Sequence, residues 1–200
     1  MFYRTDTNDH GLPHSPFKAI VAPRPIGWIT SINKKGEINL SPYSFFNAIG
    51  DHPPVVCFSS TGMKDAASFV AETGEFVCNF VTYELREKMN LTSAPLPRGE
   101  NEMVFARLPA EPSVLVKPPR VAGTPAALEC KLLQIVPIKP LDNGRVDNYL
   151  VIGQVVGIHL DERFIKNGRF DTLAARPIMR MGYHDYAVGT EGFTMVRPGG

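Results

Sequence analysis

Two clusters of side chains in this chain have the types and spacing for ligand chemistry. The first is Ser59-Ser60-Thr61-Gly62-Met63-Lys64, where an apolar strand-like run gives way to a helical pattern. The first turn of a helix leaves backbone N–H groups unpaired, and its dipole favours an anion. Hydroxyls and an ammonium beside such a turn complete a cradle for a phosphate. The same residues equally make a plain helix start with a solvated lysine, and spacing alone does not separate the two. The second cluster is Ser41, Tyr43, Ser44, Phe45, Phe46 and Asn47. It sets hydroxyls and an amide beside flat apolar rings, which suits a large, planar, partly polar ring system or an ordinary packed loop. Asn39, Ser44 and Asn47 can bond a ligand or close turns on their own backbone. Arg24, held between two prolines, and Arg180 are further cations available to a phosphate.

The elements that must position these residues read as short strands with a few helices. Residues 25–33 are rich in β-branched and aromatic types, and Asn33-Lys34-Lys35-Gly36 makes a hairpin turn into a return strand at 37–40. The second cluster then follows as a loop. Residues 55–59 and 75–81 read as buried strands. Between them 64–73 reads as a helix with Phe69 and Val70 inward and Gly74 at its C-cap. Residues 82–91 form a second helix with Thr82 as N-cap. Prolines at 95, 97, 109, 112, 118, 119 and 125 make residues 92–125 an irregular surface excursion. Two long strands, 126–138 and 148–161, flank the turn Leu141-Asp142-Asn143-Gly144. A helix or loop carrying Phe164 and Leu173 precedes the last segment, 176–188. Trp28, the single tryptophan, is expected in the core rather than against a ligand. Short helices inserted into an antiparallel strand series give a mainly β Greek-key barrel.

Composition narrows the function. Two hundred residues with 44% hydrophobic content bury one substantial core. A net charge of +1 gives no broad footprint for nucleic acid or an acidic membrane. Cys57, Cys78 and Cys130 lie in apolar runs with no CxxC pair, which reads as buried free thiols in a reducing compartment. The N-terminal residues lack a secretory pattern and no run is long enough to span a membrane, so the cytoplasm is expected. No GxGxxG follows a strand, and GxxxxGK[ST] and GxSxG are absent. The five histidines show no metal-ligand spacing, so no metal is expected, and no catalytic acid, base or nucleophile stands out. That pattern fits a protein whose chemistry belongs to a bound cofactor.

PRPIGWITS, followed by NLSPYSFFN and PPVVCFSS, resembles the flavin reductase-like family of FMN-binding split barrels. The resemblance continues through Lys64-Asp65, the strand at 75–80, Leu128-Glu129-Cys130 and Arg180-Met181-Gly182-Tyr183, roughly residues 12–187 in all. It implies one domain over residues 1–200, folded as an FMN-binding split barrel with short inserted helices. It implies that Ser59, Ser60 and Lys64 hold the 5′-phosphate of FMN; Arg24 and Arg180 stand as further candidates for the phosphate or the ribityl chain. It also implies that backbone groups near Thr30–Ser31 and Ser44–Phe46 bracket the ring; the side chains of Asn39, Ser44 and Asn47 suit the ribityl chain or the ring's polar edge, or equally local turn bonds. It further implies a homodimer with flavin near the interface. The function so implied is reduction of flavin by NADH or NADPH, supplying a monooxygenase or another redox partner. Such reductases often carry a histidine just before the strand at 149–156; here Asn148 stands there, and His159, at the far end, reads as structural. A flavoredoxin-like electron carrier, with bound FMN and no direct NAD(P)H site, is the alternative, and an FMN-dependent oxidase of a small substrate a third.

Overall fold

Asn33 closes the first hairpin. Its Oδ1 accepts from the backbone N–H groups of Lys35 and Glu37 at 3.0 and 2.9 Å, and Gly36 takes the left-handed conformation at φ 87° that the turn requires. In the computed structural model, which describes residues 1–199, this turn joins β1 (Gly27–Ile32) to β2 (Ile38–Tyr43). The return strand therefore runs past residue 40. Ser41, Pro42 and Tyr43 pair with Ile29, Trp28 and Gly27. Pro42 is tolerated because β2 is an edge strand and needs no second ladder of N–H groups. The expected loop over 41–47 thus shrinks to Ser44 and Phe45, before β3 (Phe46–Asp51).

The chain continues through β4 (Pro54–Thr61), α1 (Asp65–Thr73), β5 (Glu75–Asn79), α2 (Arg86–Leu91) and α3 (Glu102–Phe105). The long strands β6 (Ala126–Ile138) and β7 (Asn148–Leu160) follow. The seven strands form one antiparallel sheet in the order β2-β1-β5-β6-β7-β4-β3. The connection from β4 to β5 contains α1 and crosses past β7 and β6, from beside one edge of the sheet to its interior. The sheet curls until its ends meet. The rings of Tyr43 on β2 and Phe58 on β4 lie 4.7 Å apart, and a Cβ added at Gly27 would fall 2.5 Å from the Phe46 ring.

Inside the curl pack Ile29, Val56, Phe58, Phe76, Cys130 and Val151, with Ala67 and Val70 of α1 closing one end. Alternation along β1 sends Trp28 the other way, into a second cluster with Leu40, Met89, Met103, Val121 and Ile178. Trp28 is fully buried there and its Nε1 donates to Thr92 Oγ1 at 2.9 Å. β1 is buried on both faces, its polar residues Thr30 and Ser31 included.

The excursion over 92–125 is less irregular than its prolines imply. It holds α3 and a two-stranded ladder, Ala110–Glu111 with Arg120–Val121. The helix expected from residue 82 begins at Arg86, because Thr82 bridges to Pro177 and its hydroxyl accepts from the Leu85 N–H at 3.3 Å. Arg24–Pro25, Ile178–Arg180 and Tyr186–Val188 form a separate three-stranded sheet. Cys78 and Cys130 are buried free thiols, whereas Cys57 is only half-buried. Burial pushes the Cys78 thiol pKa up, so it is inert. Among the described residues no helix is long and apolar enough to cross a membrane.

Candidate functional site

A cleft of about 580 Å³ opens where the end of β2, the link Ser44–Phe45, the end of β4 and the start of α1 converge. One wall carries Asn39, Pro42, Tyr43, Phe45, Ser59 and Lys64; the other is Thr92–Leu96 with Arg98 and Glu102. Strand alternation sorts the three hydroxyls of β4. Ser59 and Thr61 line the cleft, while Ser60 is buried and donates to the Gly62 carbonyl at 2.8 Å. Lys64 is the N-cap of α1, and no side chain caps this helix. Ala66 of the first turn lines the cleft, so the positive end of the α1 dipole borders it.

The second wall was invisible in the sequence. Arg98 is mostly exposed and makes two long ion pairs, 3.7 Å to Asp65 and 3.9 Å to Glu72, of the weak surface kind. Its guanidinium lies at the mouth of the cleft with the Asp65 carboxylate beside it. Glu102 is buried at the opposite end, where Oε1 accepts from Asn39 Nδ2 at 2.7 Å and Oε2 from the Leu40 N–H at 2.8 Å. Burial pushes the Glu102 carboxyl above its ordinary range, although those donors pull against it. The contact fixes the Asn39 amide, with its NH₂ on Glu102 and its oxygen accepting from Ser41 Oγ at 3.3 Å. Both Arg98 and Glu102 lie in the proline-rich excursion, where apolar periodicity gives no signal. The only hint for Glu102 was Asn101, whose side chain caps α3 by accepting from the Met103 N–H at 2.9 Å. Tyr43 is also largely buried, which raises its phenol pKa.

Of the sequence candidates, the cleft gathers Asn39, Ser44, Phe45, Ser59 and Lys64. The others lie elsewhere in the protomer. Thr30 and Ser31 are buried in β1, with Thr30 Oγ1 accepting from Asn79 Nδ2 at 2.8 Å. Phe46 lines a separate apolar cavity with Cys78 and Leu128. Asn47 is exposed and its Oδ1 accepts from the Ala48 N–H. Arg24 is buried, its guanidinium donating to the carbonyls of Lys18, Val21 and Met181. Arg180 donates to the Tyr183 carbonyl and lies 4.5 Å over the Tyr186 ring. Asn148 reaches the rim of the cleft, its Oδ1 accepting from Thr61 Oγ1 at 3.0 Å. His159 is structural, bonded to the buried carboxylate of Glu129.

The model of the flavin reductase like domain matches residues 21–176. An uncharacterised protein of Aquifex aeolicus is 36% identical over 169 residues, which is 82% of this chain and 83% of that one. The structure of nitrilotriacetate monooxygenase component B from Bacillus cereus superposes with a TM-score of 0.89 at 29% identity, covering 98% of both chains. A Shewanella frigidimarina flavin reductase structure with a split barrel domain gives a TM-score of 0.85 at 19% identity over 98% of this chain and 99% of that one, which fixes the fold as a split barrel. With the domain matched across most of its length and a close relative over four-fifths of it, this chain belongs to the flavin reductase-like family.

Proposed function

We propose that the cleft holds FMN and that the protein is a flavin reductase using NADH or NADPH. The observation that carries this reading is the donor set at the start of α1. The Ser59 hydroxyl, the Lys64 ammonium, an uncapped helix terminus and the Arg98 guanidinium, which Asp65 and Glu72 hold only at 3.7 and 3.9 Å, together suit a phosphate monoester dianion. The rest of the cleft fits the remainder of the molecule. Asn39, Ser41 and Ser44 suit hydroxyls of a ribityl chain, and Pro42, Tyr43 and Phe45 supply apolar surface beside a flat ring. When bound, FMN supplies the redox chemistry, accepting hydride from a nicotinamide nucleotide and passing electrons on. The chain's own residues bind and orient it: Lys64 and Ser59 anchor the phosphate, and Glu102 holds the Asn39 amide in one orientation.

The Bacillus cereus protein is a monooxygenase component, and a monooxygenase or comparable redox partner would consume the reduced flavin here. The three free thiols fit a cytoplasmic protein. We further propose a homodimer. Ile49 on β3, Leu133 on β6 and Ile158 and Leu160 on β7 are exposed apolar side chains on strands of the barrel. The apoprotein is expected to sediment as a dimer burying about 2,000 Å² or more; a stable monomer at micromolar concentration would refute this.

One observation favours the electron-carrier alternative: Asn148 stands where the resemblance leads one to expect histidine, and it is engaged by Thr61. Stopped-flow reduction of the FMN-loaded protein separates the readings. Bleaching by NADH or NADPH is the expected result. Bleaching by dithionite alone would leave the electron carrier in its place.

A further inference from the structure

A second cavity, of about 420 Å³, is built from cations and tyrosines. Arg86, Asn90, Arg180, His184, Tyr83 and Tyr186 line it. The guanidiniums are held flat: Arg86 lies 3.8 Å over the Tyr83 ring and Arg180 4.5 Å over Tyr186. The one carboxylate in the lining, Glu87, is mostly exposed and 3.4 Å from Arg86. Among the described residues no carboxylate lies within 4.0 Å of Arg180 or Arg24.

Those two arginines nevertheless face each other as register partners across a β ladder. Like charges placed directly opposite repel. Arg24 is nine-tenths buried, and its Nε has no partner at all. Two positive charges without a carboxylate partner thus stand side by side here, Arg180 lining the cavity and Arg24 buried behind it on the carbonyls of Lys18, Val21 and Met181. The Arg180 and Arg86 guanidiniums in the lining suit an anion. The position of the cavity narrows the choice of anion. Met89 and Asn90 of α2 line it, while Thr92 and Ser93, just beyond, line the flavin cleft, so the end of α2 is a shared wall.

We infer that this cavity takes the phosphate-bearing adenosine end of the nicotinamide nucleotide that serves the neighbouring cleft. The inference rests on the reductase reading for the identity of the nucleotide, but the cavity itself stands on its own charges. Arg180 and Arg86 bind phosphate, and Asn90 offers an amide to the ribose or the base.

Titration calorimetry of the FMN-loaded protein tests it with three probes: adenosine 2′,5′-bisphosphate, ADP-ribose and inorganic phosphate. Either nucleotide should bind more tightly than inorganic phosphate, the stronger of the two showing which phosphate is read. Arg180→Gln should weaken that binding about tenfold or more, the scale of a charge-assisted contact. Arg86→Gln is the second variant, since Arg180 also braces the Tyr183 carbonyl. No binding of either nucleotide, equal binding of all three probes, or undiminished binding in both variants would overturn the assignment. The readout is independent of flavin bleaching. A protein that binds the bisphosphate through Arg180 yet is not reduced by NADPH loses the reductase reading and keeps the site.

Discussion

Lys64→Ala is expected to weaken FMN binding about 10- to 150-fold while leaving riboflavin almost unaffected. The range follows from a charge-assisted phosphate contact worth roughly 1.5–3 kcal/mol. The variant should fold normally, because the Lys64 side chain makes no capping bond and α1 is held by Ala66, Ala67, Phe69 and Val70. Arg98 remains nearby and can turn toward the phosphate from its loose contacts with Asp65 and Glu72, which favours the lower part of the range. A double variant lacking both cations should lose more than Lys64→Ala alone. Titration of each flavin by fluorescence quenching decides the matter. Equal losses for FMN and riboflavin would place Lys64 away from the phosphate.

This test bears on the part of the cleft that the sequence made readable. The helix start at Lys64, the C-cap at Gly74 and the first hairpin are local signals, each carried by a few adjacent residues, and all appear as expected. The strand pairings of β6 and β7 are also local, since one turn joins them. Tertiary placement is where local reading stops. Ser59, Ser60 and Thr61 look equivalent as hydroxyls, yet the two-residue period of a strand turns Ser60 inward. The β-branched and aromatic residues of β1 mark a strand but give no clue that Thr30 and Ser31 are both buried, on its two faces. Arg24 reads as an exposed cation, and only the packing of Lys18, Val21 and Met181 shows its charge spent on carbonyls. The far wall of the cleft, from Thr92 to Glu102, comes from a segment without periodicity. Its contacts with β2 span more than sixty positions in sequence, as the |i−j| of 63 between Asn39 and Glu102 shows.

Glu129→Ala is expected to cost the fold about 3 kcal/mol, and to cost it less as the solution is acidified. Glu129 is fully buried on β6. Its Oε1 accepts from the Val114 N–H at 2.7 Å and Oε2 from those of Leu115 and Val116 at 2.6 and 3.1 Å, while His159 Nε2 bonds Oε1 as well. One carboxylate thus straps the segment around residues 114–116 onto β6 and β7. Breaking a buried ionic contact by removing one partner typically costs 3–5 kcal/mol. Val114 and Leu115 have exposed side chains, so the freed strap can lift and hydrate its N–H groups, which holds the cost to the lower end. Even so, that is a large part of the total stability of an ordinary domain. Burial alone would raise the Glu129 carboxyl pKa, but the His159 bond, the Val114 and Leu115 donors and the His159 charge outweigh it and hold it below its ordinary 4.5. A folded-state value below the unfolded one stabilises the fold above pH 4.5, and that contribution is lost as pH falls through the folded value. The stability gap between wild type and Glu129→Ala should therefore be widest near neutrality and narrow below pH 4.5. Glu102 titrates in the opposite sense: its raised value adds stability at low pH that is lost as pH rises through the folded value. It is present in both proteins and cancels in the difference. Urea unfolding of both proteins across that pH range is the measurement. An unchanged midpoint in the variant, or a gap that does not narrow in acid, would remove Glu129 as the anchor of the strap.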